Sequence, residues 1–208
     1  MAAVPLVRYS KSLGMSHSTM TGITVFFSPE DDVKFRNFAA RFCSEMLPKN
    51  DRPPRISLFA KLSSNNDASY QKLLRNLSHK HSSFKVDVQR AFTVETSTEH
   101  STVSLGLSSP IVHEIYEEIQ SQLLATNPTL IHKKFIVPRI NIAEHVPHDI
   151  ALKLKRAFNN HWSKVEGHSS GLTASGLAMR NYYPNEIRWF PSMKRVNFLP
   201  AFNRFIIH

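Results

Sequence analysis

Pro54-Arg55-Ile56-Ser57-Leu58 and Pro138-Arg139-Ile140-Asn141-Ile142 are two copies of one short pattern: proline, arginine, isoleucine, a small polar residue, an aliphatic residue. Each opens a stretch in which apolar and polar residues alternate, the period of a strand with one buried face. In such a strand Arg55 and Ser57 share one face, and Ile56 and Leu58 the other. Arg139 and Asn141 are divided from Ile140 and Ile142 in the same way. If the two strands are neighbours, Arg55, Ser57, Arg139 and Asn141 line one cleft.

The surrounding chain predicts the elements that carry these strands. Residues 22–27 (GITVFF) form a short buried strand, rich in β-branched and aromatic side chains. Ser28 caps the helix that follows, Pro29 suits its first position, and Asp31 stands where a capping-box acid belongs. Phe35, Phe38, Phe42 and Met46 then recur at helical spacing until Pro48, an aromatic stripe that belongs to a core. A strand at 56–62 leads through a polar loop to a helix at 68–77, with Tyr70, Leu73, Leu74 and Leu77 inward. Strands at 84–94 and 102–107 enclose a polar connection at 96–100. A helix starts at Ser109 and Pro110 and buries Ile111, Ile115, Ile119 and Leu123. The strand at 135–143 precedes a helix opened by Pro147 and reaching Trp162, with Ile150, Leu154, Ala157 and Phe158 inward. Strands near 172–182 and 186–190 precede a tail rich in phenylalanine. The order is an α+β pattern, and the stretches starting near Gly22 and Phe84 are loosely alike, which suggests two lobes.

With 208 residues and 41% hydrophobic content the chain can bury one substantial core or two small lobes. The single cysteine, Cys43, excludes an internal disulfide and a cysteine-cluster zinc site, and fits a reducing, intracellular compartment. No glycine-rich phosphate loop is present, and no apolar run is long enough to span a bilayer, so no membrane role is expected. Residues 1–21 form a flexible tail ahead of a two-lobed domain at 22–208. The first 28 residues hold Arg8, Lys11 and no acid, a composition shared by mitochondrial presequences and by plain flexible tails; cytoplasm, nucleus and mitochondrion all stay open. Of the net charge of +10, eight units lie beyond residue 130, where twelve basic residues face only Glu144, Asp149, Glu166 and Glu186. Such a bias points to a polyanionic partner, nucleic acid first, or to a solvated basic surface.

The paired Pro-Arg-Ile segments, the opening strand and helix, the strand at 102–107 (TVSLGL) and the late Gly171-Leu172, Tyr182 and Trp189-Phe190-Pro191 together resemble the two-histidine (2H) phosphoesterase superfamily, in particular its 2′–5′ RNA-ligase-like branch. The resemblance runs from residue 22 to about 200 and implies antiparallel sheets lining a central cleft, with helices outside. That family carries two His-x-Thr/Ser motifs, one per lobe. One imidazole acts as general base and the other as general acid on a 2′,3′-cyclic or 2′–5′ phosphodiester.

In this chain the matching positions are Arg55 and Arg139, and Asn141 stands where the second hydroxyl residue belongs; Ser57 keeps the first. Proton transfer needs a group whose pKa lies near the working pH, and a guanidinium does not release its proton in a protein. Phosphate binding survives the exchange, because arginine presents a planar fork of donors matched to phosphate oxygens. The resemblance therefore implies a non-catalytic relative whose Arg55, Ser57, Arg139 and Asn141 hold RNA or a phosphorylated nucleotide. Lys133, Lys134, Lys194 and Arg195 form an RNA-binding surface, and a place in a ribonucleoprotein assembly fits the size and charge. Three alternatives stand: arginines that only make surface ion pairs, an active phosphodiesterase of RNA ends using other residues, and a protein–protein adaptor keeping only the fold.

Other histidines offer weaker signals. His100-Ser101-Thr102 and His168-Ser169-Ser170 match the three-residue pattern but fall in expected connections, and His145 and His148 flank the helix after the second motif. His79/His81 and His145/His148 lack a third ligand, so neither metal nor cofactor is expected. Tyr182, Tyr183, Trp189, Phe190, Phe198 and Phe202 either stack on unpaired bases or fill the core of the last strands.

Overall fold

A computed structural model describes residues 20–43, 54–126, 137–164, 171–182 and 193–199. Through them run β1 (Met20–Phe27), α1 (Pro29–Cys43), β2 (Arg55–Ser63), α2 (Asp67–Lys80), β3 (Phe84–Glu95), β4 (His100–Ser108), α3 (Pro110–Thr126), β5 (Arg139–Pro147), α4 (His148–His161), β6 (Leu172–Tyr182) and β7 (Met193–Asn197). This is the α+β succession that the sequence predicts.

Several boundaries differ, each for a reason outside local sequence. β1 starts at Met20 because Met20 and Thr21 pair with β2 on one side and β6 on the other. The Thr21 hydroxyl also donates to Asp67 Oδ1 at 2.6 Å. His100 belongs to β4 rather than to the connection. It pairs with Pro147, so β5 continues through Val146 and Pro147, and α4 begins only at His148. The strand expected at 186–190, the end of the first helix beyond residue 43 and the start of the strand at 135 lie outside the described residues. The strand after β6 is Met193–Asn197, within the stretch expected to be tail, where Val196 pairs with Leu177.

All strand pairs are antiparallel, in the order β2-β1-β6-β3-β4-β5, with β7 also on β6. β3 serves both ends of this path. Phe84–Val86 pair with β6, and the strand from Asp87 onward pairs with β4, with an irregularity between Val88 and Ala91. Gly171, just ahead of β6, makes the first junction possible: its φ is 72°, and a Cβ there would sit 2.6 Å from the Val86 carbonyl oxygen.

The core face alternates as the sequence demands. Ile23, Val25 and Phe27 of β1, Ile56 and Leu58 of β2, and Ile140 and Ile142 of β5 are all buried in it. Helices tie the two ends of the path together. Phe35 and Phe38 of α1 meet Phe158 of α4 and the following Trp162, with Phe38–Phe158 centroids 4.6 Å apart. Phe59 of β2 stacks on Tyr116 of α3 at 4.8 Å, and Lys80 of α2 pairs with Glu118 of α3. Tyr70, Leu74 and Leu77 of α2 and Ile115, Ile119 and Leu123 of α3 are buried as expected. No helix among the described residues is long and apolar enough to cross a membrane.

Asp31 does more than cap α1. Its N–H donates to Ser28 Oγ at 3.2 Å, closing the capping turn. Its carboxylate, 2% exposed, accepts from the Thr173 N–H at 2.5 Å and from Lys34 at 3.2 Å, pinning the helix start to β6. Burial pushes this carboxyl up, but the hydrogen bonds from Thr173 and Lys34 outweigh it and hold the pKa below the ordinary 3.8. A lowered folded-state pKa gives stability that is full above 3.8 and is lost as pH falls through the lower folded value. Asp31→Ala is expected to cost about 1–3 kcal/mol, because the Thr173 N–H loses its acceptor. It should also flatten the acid limb of stability, which thermal melts at neutral pH and below pH 4 check (about the unperturbed carboxylate value).

Candidate functional site

β2 and β5 are the two ends of the hydrogen-bonded path, yet their backbones approach within 8 Å of each other. The sheet therefore curls until the two Pro-Arg-Ile strands form a seam without pairing. Along both strands the isoleucines face the core. Arg55, half-buried, and Ser57, Arg139 and Asn141, all exposed, lie on the opposite face. Alternation thus separates the side chains as the sequence predicts, and the two strands come together as unpaired edges.

The two halves of the seam differ in their surroundings. On β5, Asn141 accepts from Ser104 Oγ at 3.0 Å and donates to Glu144 Oε1 at 2.8 Å. Its amide is engaged at both ends, and a carboxylate stands beside it. On β2, Arg55 is directly opposite Phe26 of β1, and Ser57 is opposite Thr24. Residues directly opposite in an antiparallel pair project to the same face. Thr24 Oγ1 is buried there and has no hydrogen-bond partner among the described residues.

Arg195 joins this face. Expected on a separate basic surface, it pairs in register with Ala178 of β6, which is itself opposite Thr24. Its guanidinium carbon lies 5.2 Å from the centroid of the Phe26 ring, a cation–π contact. Gly176 makes room for that ring: a Cβ there would stand 2.6 Å from Phe26 and closer still to the Val196 carbonyl. Lys194 lies in β7, and Lys133 and Lys134 lie outside the described residues. Sequence reasoning missed Thr24, Phe26 and Ser104, which reach the site only through strand register, and Glu144, which meets Asn141 from three residues further along β5. Alternation inside GITVFF does put Thr24 and Phe26 on one face, the single local signal that could have found them.

The histidines near the second motif form a separate group. His100 and His145 stack with centroids 4.1 Å apart, His145 taking a φ of 57°. His148 Nε2 donates to the Thr98 carbonyl at 2.9 Å, which leaves Nδ1 to accept from Ser101 Oγ at 2.7 Å. Ser101 is only 2% exposed, so this pair joins β4 to α4 instead of presenting a nucleophile. His168 lies outside the described residues. No group of three or more His, Cys, Asp or Glu among the described residues could hold a metal ion. Of the late aromatics, Phe198 is buried against Phe84; the side chains of the others lie outside the described residues.

The sequence matches no family model and no curated protein. Solved structures do match. LigT of Escherichia coli aligns with a TM-score of 0.59 at 13% identity, over 88% of this chain and 99% of LigT. TT0787 of Thermus thermophilus aligns at 0.54 and 11%, over 86% and 94%. Usb1 of Kluyveromyces marxianus aligns at 0.54 and 8%, over 89% and 100%. LigT has been solved with 3′-AMP and Usb1 with uridine monophosphate. All three are 2H phosphoesterase superfamily members, and the chain has their fold.

Gly176→Ala is expected to cost about 1–3 kcal/mol, the range for overpacking a filled site. Its methyl group must displace the Phe26 ring or the β7 backbone, and a fall in melting temperature measures the cost.

Proposed function

We propose that this chain is a non-catalytic 2H-fold protein that binds RNA or a phosphorylated nucleotide through Arg55, Ser57, Arg139 and Asn141. The observation that carries the reading is the seam of β2 and β5, with both arginines on its non-core face. The ligands of two proteins sharing the fold, 3′-AMP in LigT and uridine monophosphate in Usb1, are nucleoside monophosphates, which supports the same ligand class here. Neither arginine can act as a general base near neutral pH, so binding is the chemistry left to these positions. A ribonucleoprotein assembly is the setting that the basic charge favours.

Charge-assisted hydrogen bonds from an arginine to phosphate are worth roughly 1.5–3 kcal/mol. Arg55→Ala and Arg139→Ala should therefore each weaken uridine monophosphate binding about ten- to a hundredfold, measured by calorimetry. The double variant should depart from additivity, because both side chains serve one ligand. If both single variants bind like the wild-type protein, the seam is a relic of the fold and the proposal falls. The wild-type protein should not hydrolyse 2′,3′-cyclic nucleotides or 2′–5′ linked dinucleotides. Turnover abolished by substituting His100 or His168 would reinstate an enzyme.

A further inference from the structure

The four strands β2, β1, β6 and β7 contain no aspartate or glutamate, while they carry Arg55, Lys61, Arg180, Lys194 and Arg195. The strands of the other half are mixed, with Asp87, Glu95 and Glu144 among Lys85, Arg90 and Arg139. Positive charge therefore predominates along one half of the sheet, well beyond what a single phosphate at the seam requires.

Register arranges three of these cations on one face. Arg55 stands at the level of Phe26, Arg195 at the level of Thr24 through Ala178, and Arg180 is directly opposite Gly22. Each level is two residues further along β1, a step of roughly 6–7 Å along the strand. The positions between them on this face are Gly22, Thr24, Gly176 and Ala178, all small and all buried, a packed floor beneath the arginines. Phe26 is the exception, and Arg195 lies across its ring. The buried hydroxyl of Thr24, without a partner among the described residues, belongs to the same floor.

The geometry points to a track for a single-stranded RNA backbone, running from the seam at Arg55 over Phe26 and Arg195 to Arg180. This deepens the function proposed above and rests on it: the seam takes one phosphate, and Arg195 and Arg180 take the phosphates that follow. The occupant is an oligonucleotide, of which a mononucleotide would fill only one end. Arginines spread over β2, β6 and β7 neutralise separate phosphates and release their counterions, so affinity grows with strand length and falls with salt.

The experiment titrates the full chain with uridine monophosphate and with fluorescein-labelled octauridylate over a range of salt. Arg195→Ala should lower the preference for octauridylate over the mononucleotide about tenfold, and should reduce the salt slope for octauridylate by about one. Arg195→Lys keeps the charge and should keep the slope, while losing part of the affinity with the planar fork. Arg55→Ala should weaken both probes together. If Arg195→Ala and Arg180→Ala leave octauridylate unaffected while Arg55→Ala weakens both probes, the track is wrong and the seam stands. If Arg195→Ala weakens the mononucleotide as much as the octamer, the arginines form one clamp and the track is again overturned. Arg55→Ala and Arg139→Ala without effect on either probe would overturn seam and track alike.

Discussion

β3 belongs to both halves of the sheet, and the rest of the architecture depends on that sharing. Its first residues pair with β6 and its later ones with β4, so one continuous backbone joins the strands that carry Arg55 to those that carry Arg139. The junction needs Gly171 in a left-handed conformation against the Val86 carbonyl, which no side chain tolerates. Because the strand changes partners partway along, the sheet curls, and its outermost strands meet at the seam. The Phe35, Phe38, Phe158 and Trp162 cluster and the Phe59–Tyr116 stack lock that curl from the helical side.

The two faces of the sheet divide the work. The core face is a continuous set of aliphatic and aromatic side chains, whose burial drives folding. The opposite face is built from glycine, alanine, threonine and serine, with arginines standing above them. The two halves nevertheless differ. Near Arg139 the polar groups are engaged with one another through Ser104, Asn141 and Glu144. Around Arg55 the strands carry no acid, and Arg195 is held on an aromatic ring. The sheet thus presents its positive charge mainly on the half that carries Arg55.

Most of the secondary structure was legible in the sequence because its signals are local. Ser28-Pro29 starts a helix wherever the chain goes, and alternation in Arg55–Leu58 and Arg139–Ile142 separates core from non-core side chains before any partner strand is known. The misplaced boundaries were those set by pairing. Met20, His100 and Pro147 have weak strand preferences of their own and are strands only because a neighbour supplies hydrogen bonds. The stretch Met193–Asn197 read as tail for the same reason, although Val196 finds a place beside Leu177.

The sequence alone determined which residue types stand at the paired motifs, and with them the chemistry available there. An arginine binds phosphate and does not relay protons, whatever surrounds it. Tertiary structure alone decided which cations act together. Arg55 and Arg195 share a face because β2, β1, β6 and β7 lie side by side in one register, an arrangement formed by residues far apart along the chain. Local propensity reaches only a few residues, whereas register is set by the packing of the whole sheet, so the face it assembles cannot be read from any one segment.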